Sequence, residues 1–269
     1  MTDTNRWSLG LEGKIAVVTG GNGILGTAVC RQLLEAGAVV CSLDLTTSTP
    51  DQSLTENTSF HTFDCDVSNE DEVVKVISEI EHVLGPISAL HNNAATKTSE
   101  LTKFFASVND YDSQTWEEVM RTNLYGMFVV ARTVGFRMAQ RNSGSIVQTS
   151  SIYGAVMGPD QRIYAGSNYL GQEISTPISY TASKAGVHGI TNHLATFWGT
   201  SGVRVNTVSP GGISSGQNGV FEDSYSRRVP LGRMADSSEV ASAVVFLMST
   251  RASYITGQNL FVDGGLSSW

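Results

Sequence analysis

The feature that most limits what this chain can fold into is a glycine-rich turn between an apolar run and a helical pattern. Residues 14–19 form a short, nearly continuous apolar run, which is typical of a strand buried on both faces of a parallel sheet. Gly20, Gly23 and Gly26 follow at once, and apolar residues then recur at helical spacing. This order predicts a dinucleotide-binding fold, in which the N–H groups of the helix's first turn face the phosphates.

Further apolar runs predict the rest of a parallel sheet. Predicted strands cover residues 38–43, 58–65, 87–91, 145–149, 203–208 and 259–262, and helical patterns cover 68–84 (N-capped by Ser68), 119–138, 185–198 and 237–248. Residues 96–112 are a predicted polar loop. The alternation predicts an α/β fold with a single Rossmann-type domain, residues 1–269. Its doubly wound parallel sheet has about seven strands with helices on both faces.

Composition excludes several classes of protein. A net charge of −8 and an isoelectric point near 5.1 argue against a nucleic acid or an anionic membrane as partner. No apolar run reaches the roughly 18 residues that span a bilayer, and residues 1–10 lack a hydrophobic signal core. Cys30, Cys41 and Cys65 show no metal-binding spacing, so we expect no metal site and reduced core cysteines in a cytoplasmic protein.

An acidic residue at the end of the second strand predicts the cofactor. Asp44 follows Gly20 by 24 positions, about where a ribose-binding acid lies in such folds. A carboxylate there accepts hydrogen bonds from the adenosine ribose and repels a 2′-phosphate, and residues 20–26 and 44–51 contain no Lys or Arg. We therefore predict NAD rather than NADP, the alternative being that Asp44 is only a solvated strand end. Asp66 and Val67, after the third strand, are predicted beside the adenine.

A tyrosine and a lysine four positions apart are the predicted acid–base pair. On a helix, Tyr180 and Lys184 leave the same face one turn apart. A nearby ammonium group lowers the pKa of a phenol, which would make Tyr180 a usable general acid or base. The alternative is an ordinary surface pair. Asn123, in the predicted helix 119–138, has packing or capping as its alternative role.

Several motifs then occur in one order along the chain. They are Thr19-Gly20, Asn92-Asn93-Ala94, Asn123, Ser151, Tyr180-x-x-x-Lys184, Pro210-Gly211 and Val262-Asp263-Gly264-Gly265. Together they resemble the short-chain dehydrogenases/reductases over essentially the whole chain. The resemblance implies an NAD(H)-dependent oxidoreductase that interconverts a secondary alcohol and a ketone by hydride transfer. It also implies a homo-oligomer, either a tetramer or a dimer, acting on a small molecule.

The resemblance implies roles for the matching residues. Tyr180 matches the proton donor or acceptor, and Lys184 matches the residue that lowers its pKa and binds the nicotinamide ribose. Ser151 matches the hydroxyl that orients the substrate oxygen, and Asn123 matches a residue that holds a water-mediated proton relay. The predicted cofactor-binding residues are Gly20, Asn22, Gly23, Ile24, Leu25, Gly26, Asp44, Asp66, Val67, Asn92, Ala94, Tyr180, Lys184, Pro210, Gly211 and Ile213.

The glycine spacing departs from the shorter branch of this family. The turn has Ile24 where that branch usually has glycine, and the spacing is closer to the longer branch, which includes nucleotide-sugar epimerases and dehydratases. Ala95 also stands where glycine is usual. Two alternatives therefore stay open, an NAD-dependent epimerase or dehydratase and a catalytically silent nucleotide-binding regulator. The complete set of four catalytic residues argues against the regulator.

The interval between Ser151 and Tyr180 is 29 positions, longer than is typical of the family. We expect this inserted segment, residues 152–179, to be a substrate lid, the alternative being a surface or subunit contact. The glycine- and serine-rich residues 211–230 are expected to form a mobile substrate loop. The inserted segment contains Asp160, Gln161, Arg162, Tyr164, Asn168, Tyr169, Gln172 and Glu173.

The polar, aromatic and amide-rich character of both segments suits hydroxyl-rich ligands, whereas a steroid or fatty-acyl pocket should be more uniformly apolar. We predict a sugar, a sugar acid or a polyol as substrate. The predicted substrate contacts are Ser151, Gln161, Arg162, Tyr164 and Tyr180. Lys97, Lys103, Arg162, Arg227 and Arg228 would suit an anionic substrate, although solvation of the surface explains such charges equally well. Residues 153–164 also resemble family members linked to nonulosonic-acid and flagellin-glycan sugar pathways.

Overall fold

The sheet is confirmed as seven-stranded and parallel throughout in a computed structural model that describes residues 8–166, 171 and 174–269. The strands are β1 (Ile15–Thr19), β2 (Val39–Asp44), β3 (Phe60–Asp64), β4 (Ile87–Asn92), β5 (Gly144–Thr149), β6 (Val203–Pro210) and β7 (Asn259–Val262). Their spatial order is β3-β2-β1-β4-β5-β6-β7, so the order reverses between β1 and β4. In open α/β sheets, ligands bind at the carboxyl ends of the strands beside such a reversal.

Helices cover both faces of the sheet. They are α1 (Ile24–Glu35), α2 (Gln52–Thr55), α3 (Glu70–Val83), α4 (Leu101–Phe104), α5 (Ser113–Met120), α6 (Met127–Gln140), α7 (Ile152–Ala155), α8 (Ile178–Trp198), α9 (Gly219–Ser226) and α10 (Ser237–Met248). A π-helical segment, Arg121–Gly126, joins α5 to α6. Short 3-10 turns cover Gln161–Tyr164, Gly199–Ser201, Thr250–Ala252 and Leu266–Ser268.

Two apolar layers enclose the sheet. One lies between the sheet and α3, α6 and α8 and contains Val17, and the other lies against α1 and α10 and contains Val18. Successive strand residues point to opposite faces, so a strand covered on both faces is apolar at most positions. This is why β1 appears in the sequence as a nearly continuous apolar run.

Several predicted boundaries were wrong for local reasons. Helix α3 is capped by Asn69 instead of Ser68, because the Asn69 side chain accepts hydrogen bonds from the first-turn N–H groups. The helical region predicted to begin at residue 119 begins earlier, with α5, whose first residue Ser113 follows the capping residue Asp112. Residues 96–112 contain the short helix α4, and residues 211–230 contain α9. Short helices of this kind carry weak periodicity and are missed by pattern reasoning.

A third apolar cluster joins the inserted segment to residues 211–230. It contains Ile152 and Ile163 from the segment and Tyr225 and Val229 from the loop. The rings of Tyr164 and Phe221 stack across the same junction with centroids 5.4 Å apart. The described residues of the two segments, 152–166, 171, 174–179 and 211–230, therefore pack as one unit, which we call the cap. Asn168, Tyr169, Gln172 and Glu173 lie outside the described residues.

The three cysteines lie in the core, as the sequence predicts. Cys30, Cys41 and Cys65 are buried and free of disulfides. Within residues 8–166, 171 and 174–269, no helix is both long and apolar enough to cross a membrane.

Candidate active site

The glycine turn after β1 leaves no room for side chains. A Cβ atom on Gly26 would lie 2.0 Å from the carbonyl oxygen of Gly20, so α1 can pack this closely only with glycine there. Gly23 caps α1 without a side chain, and Ile24 begins the helix with 54% of its surface exposed. The backbone N–H groups of the first turn therefore stand open to a ligand, and this cradle fits a dinucleotide pyrophosphate.

Asp44 lies beside this turn at the end of β2. Its carboxylate accepts a hydrogen bond from the Asn22 N–H at 3.0 Å and one from the Leu45 N–H at 2.9 Å. The Ser42 hydroxyl in turn donates to the Asn22 side-chain oxygen at 2.8 Å. The structure thus brings together two predicted cofactor residues that are 22 positions apart in the chain. A carboxylate in this position supplies acceptors for ribose hydroxyls.

The ends of β1 and β4 are joined by polar side chains at the point where the strand order reverses. The Thr19 hydroxyl accepts from the N–H groups of Asn93 and Ala94 and donates to the Asn92 side chain. The amide of Asn92 also donates to Gln148 and to the Met127 carbonyl. Asn92 is 1% exposed, so its side chain serves the protein interior. A cofactor contact at Asn92 would have to come from its backbone.

Two further predicted cofactor segments lie at the same edge. Asp66 follows β3 and accepts from the Ser68 N–H, and Val67 beside it is buried. At the other side, the Gly211 N–H donates to the Val262 carbonyl and Ile213 pairs with Ala235. Pro210 ends β6 next to Gly211.

The four predicted catalytic residues converge at the carboxyl ends of β4 and β5. Asn123 is fully buried in the π-helical segment, where its side-chain oxygen accepts from the Thr96 N–H at 2.7 Å. Lys184 is 2% exposed and donates from Nζ to the Thr149 carbonyl at 2.9 Å. Its Nζ lies 5.9 Å from the centroid of the Tyr180 ring. The Ser151 hydroxyl is close enough to Tyr180 to influence its phenol.

A tight turn brings Ser151 against Tyr180. Ser151 accepts from the Tyr153 N–H at 3.2 Å, and Gly154 follows with a φ of +89°, a conformation that favours glycine. A Cβ on Gly154 would lie 2.4 Å from the Thr181 carbonyl oxygen of α8. The glycine thus permits close packing of α7 on α8. This packing places a hydroxyl from the end of β5 beside a phenol from a helix.

Burial sets the charge state of this pair. It lowers the pKa of Lys184 to about 8. It also raises the pKa of Tyr180, an effect that the nearby Ser151 hydroxyl opposes. The expectation that Lys184 leaves Tyr180 with a lowered pKa was therefore wrong for the protein alone, because desolvation of the phenolate outweighs the favourable interactions. The Lys184 ammonium is also directed to a carbonyl instead of the phenol.

The three predicted substrate residues of the inserted segment differ in placement. The Tyr164 ring stacks on Phe221 and its hydroxyl bonds to Thr176, and its phenol contributes to the raised pKa of Tyr180. Gln161 accepts from the Thr176 N–H at 2.9 Å and holds the segment together. The side chain of Arg162 is 87% exposed and pairs with Asp160. Only Tyr164 of these three is shown in the electrostatic neighbourhood of the phenol.

The sequence analysis missed three groups near the pair. Tyr153 and Tyr225 both have raised pKa values through burial, and each is influenced by Tyr180. His91, inside β4, contacts the Thr149 hydroxyl at 2.8 Å through Nε2, and burial lowers its pKa to about 3. A histidine within an otherwise apolar strand is a signal that was available. The tyrosines had no such signal, because the chain alone does not show which ring of a loop faces inward.

The fold and the site together define a class, the nucleotide-binding oxidoreductases with a Rossmann-type sheet. A family model described as enoyl-(acyl carrier protein) reductase matches residues 20–267. The chain belongs to the short-chain dehydrogenase/reductase family.

Individual relatives cover nearly the whole chain. Nodulation protein G of Azospirillum brasilense is 35% identical, over 94% of this chain and 98% of that protein. Galactitol 2-dehydrogenase (L-tagatose-forming) of Cereibacter sphaeroides is 32% identical, over 96% of this chain and 97% of that protein.

Solved structures also match nearly the whole chain. A short-chain dehydrogenase from Leptospira borgpetersenii with bound NAD+ superposes with a TM-score of 0.85 at 30% identity, covering 97% of this chain and 95% of the other. A gluconate 5-dehydrogenase from Burkholderia cenocepacia, in complex with NADP and tartrate, gives 0.83 at 28% identity, covering 97% and 98%. Nicotinamide cofactors therefore bind to close structural neighbours of this chain.

Proposed function

We propose that this protein is an NAD(H)-dependent dehydrogenase that interconverts a secondary alcohol and a ketone. The observation that carries the proposal is the convergence of Ser151, Tyr180 and the buried Lys184 at the carboxyl edge of the sheet, beside the point where the strand order reverses. When bound, the nicotinamide supplies the hydride acceptor or donor. The chain's own residues have to hold the substrate carbon and move one proton.

Each residue of the set has a defined task in this proposal. Tyr180 takes the proton from the substrate hydroxyl during oxidation and returns it during reduction. Ser151 holds the substrate oxygen in place and donates to it as charge develops there. Lys184 supplies a positive charge below the phenol. Asn123 holds the backbone at Thr96, and in this proposal that backbone helps to position a proton relay to solvent. The buried setting strengthens these interactions because little water competes.

The preference for NAD over NADP rests on the Asp44 carboxylate and is tested by removing its charge alone. We expect Asp44→Asn to weaken NAD binding about tenfold, because hydrogen bonds to a charged acceptor contribute about 1.5–3 kcal/mol. The ratio of NADP to NAD affinity should rise by at least as much, since the repulsion of a 2′-phosphate is lost. Titrations of the protein with NADH and NADPH, followed by cofactor fluorescence, measure both.

Asp64 provides the matched control for this experiment. It is an exposed acid at the end of β3 and lies in register with Asp44. Asp64→Asn makes the same chemical change one strand away and should leave the NADP to NAD ratio unchanged. Equal shifts for both variants would show that only the general negative charge matters, and tighter binding of NADPH by the wild type would contradict the preference itself.

The proposed substrate is a sugar, a sugar acid or a polyol. Tyr153 and Tyr225 flank the site, where they contact Ser151 and Gly212, and the faces of such rings cover C–H surfaces while their hydroxyls bind hydroxyl groups. The names of relatives that act on galactitol and on gluconate support this class. The description of the matching family model, an acyl-carrier-protein reductase, favours fatty-acyl thioesters as the competing class.

A screen of both substrate classes tests this choice. We expect NADH formation at 340 nm with members of a sugar, sugar-acid and polyol library, and kcat/KM at least tenfold below the best of them for 3-hydroxyacyl thioesters. The reverse order would overturn the substrate class and leave the reaction type standing. Conversion of a nucleotide sugar without net NADH would instead indicate the epimerase or dehydratase alternative.

The proposal includes a cytoplasmic homo-oligomer, a tetramer or a dimer. Reduced, buried cysteines support the compartment. Apolar side chains exposed along α6 and α8, among them Phe128, Phe136 and Phe197, support an interface on that face. Sedimentation of a monomer at micromolar concentration would contradict the assembly.

A further inference from the structure

Arg228 lies beside Tyr153 and Tyr225, whereas Arg162 lies on the surface of the cap. Arg228 lines a small cavity together with Tyr153 and Tyr225. The side chain of Arg228 is 32% exposed, whereas that of Arg162 is 87% exposed. The backbone N–H of Tyr153 donates to Ser151, and the Tyr225 hydroxyl accepts from the Gly212 N–H, so both tyrosines that flank Arg228 also contact the candidate site.

One carboxylate holds both of these arginines. Asp160 accepts from Nη1 of Arg228 through Oδ2 at 2.6 Å. It also accepts from Nε, Nη2 and the backbone N–H of Arg162. The hydrogen bond to Arg162 is the leading cause that holds the pKa of Asp160 well below its usual range. Asp160 would thus keep a charged partner if Arg228 were taken from it.

The charge balance of this cluster favours an anion. Two guanidinium groups and one carboxylate leave one positive charge uncompensated among these three side chains. Within residues 8–166, 171 and 174–269, Asp160 is the acid paired with Arg228. A cavity of about 10 Å³ beside them, lined also by Tyr153 and Tyr225, holds no more than a water molecule while the pair is closed.

We infer that Arg228 is a specificity-determining residue that binds a carboxylate of the substrate, and that Asp160 occupies the place of that carboxylate in the closed cap. A planar guanidinium matches a carboxylate in a two-pronged geometry, whereas Asp160 reaches Arg228 through one oxygen only. When the substrate carboxylate replaces Asp160 on Arg228, Asp160 stays paired with Arg162. This inference rests on the proposed function and narrows its substrate to a polyhydroxy carboxylate, a sugar acid instead of a neutral polyol.

Binding to the protein–NADH complex tests the inference without requiring turnover. The probes are an aldonate and the alditol of the same chain length, titrated by calorimetry. In the wild type we expect the aldonate to bind at least tenfold more tightly than the alditol. Arg228→Gln should weaken aldonate binding about 10- to 100-fold, as expected for loss of a charge-assisted pair, and change alditol binding less than threefold.

Two further variants separate recognition from a purely structural ion pair. Arg162→Gln removes an arginine from the same aspartate and should leave aldonate binding within about threefold. Asp160→Asn removes the internal competitor and should tighten aldonate binding severalfold, whereas a structural role for the pair predicts weaker binding in both Asp160→Asn and Arg228→Gln. Arg228→Lys keeps the charge and should recover part of the affinity if Arg228→Gln folds poorly.

The outcomes distinguish this inference from the proposed function. Equal binding of aldonate and alditol by the wild type, or weaker binding in Asp160→Asn, overturns the role of Arg228. Oxidation of neutral polyols would leave the proposed dehydrogenase standing in that case. Turnover that survives Tyr180→Phe overturns the proposed function whatever the binding data show.

Discussion

Replacing Tyr180 by phenylalanine is expected to reduce kcat about 1,000-fold or more while NADH binding stays within about twofold of the wild type. The change removes one oxygen, the group that we propose to exchange a proton with the substrate. General acid–base catalysis contributes about 10²- to 10⁴-fold to enzymatic rates. Ser151 would keep its place through the Tyr153 N–H.

Tyr164→Phe is the matched control for this variant. Tyr164 lies in the same cluster of phenols, and its hydroxyl bonds to Thr176 at 3.0 Å within the cap. Losing that oxygen should cost less than tenfold in kcat/KM, because it loosens the cap without touching the proton transfer. Steady-state kinetics and NADH fluorescence on both variants decide the question. Comparable losses in the two variants would remove the special role of Tyr180.

Replacing Lys184 by methionine is expected to abolish most activity and yet to stabilise the protein in the absence of cofactor. The lysine is 2% exposed, and burial lowers its pKa from 10.5 to about 8. At pH 7 the folded protein thus carries a buried charge at a cost of about 3 kcal/mol, taking about 1.4 kcal/mol per pKa unit. Methionine removes this cost and leaves the Thr149 carbonyl without its donor, so we expect a net gain of about 1–2 kcal/mol at pH 7.

The pH dependence of this gain has a definite sign. Between pH 8 and 10.5 the unfolded chain binds a proton at Lys184 that the folded protein does not, so wild-type stability from this group rises with pH. The advantage of Lys184→Met should therefore be largest below pH 8 and should shrink as the pH rises through the folded-state pKa. Urea unfolding of both proteins at pH 7 and pH 9.5 measures the difference.

An exposed lysine supplies the control for the stability experiment. Lys75 lies on the outer face of α3, and Lys75→Met should change the free energy of unfolding by less than about 0.5 kcal/mol at either pH. A Lys184→Met variant that is less stable than the wild type at pH 7 would show that the lysine is held by more favourable contacts than its one hydrogen bond to Thr149. In that case the buried ammonium group would not destabilise the folded protein.

Much of the fold could be predicted because its signals are local. The run of residues at β1, the glycines that follow and the four-residue spacing of Tyr180 and Lys184 depend only on strand and helix geometry. The N-terminal capping residue of α3 was misplaced by one position, because Ser68 and Asn69 are both residue types that cap helices well. Which of them bonds to the helix depends on backbone angles that the residue types do not reveal.

What the sequence by itself determined is the order of the elements, the family and the helix face that carries the tyrosine and the lysine. Only the tertiary structure decided that Ser151 lies close enough to Tyr180 to influence its phenol, because their approach depends on how closely α7 packs on α8 at Gly154. It also decided the direction of the Tyr180 pKa, since desolvation depends on everything packed around the phenol. In the same way, charge and spacing did not separate Arg228 from Arg162. Their difference in exposure comes from the packing of the cap.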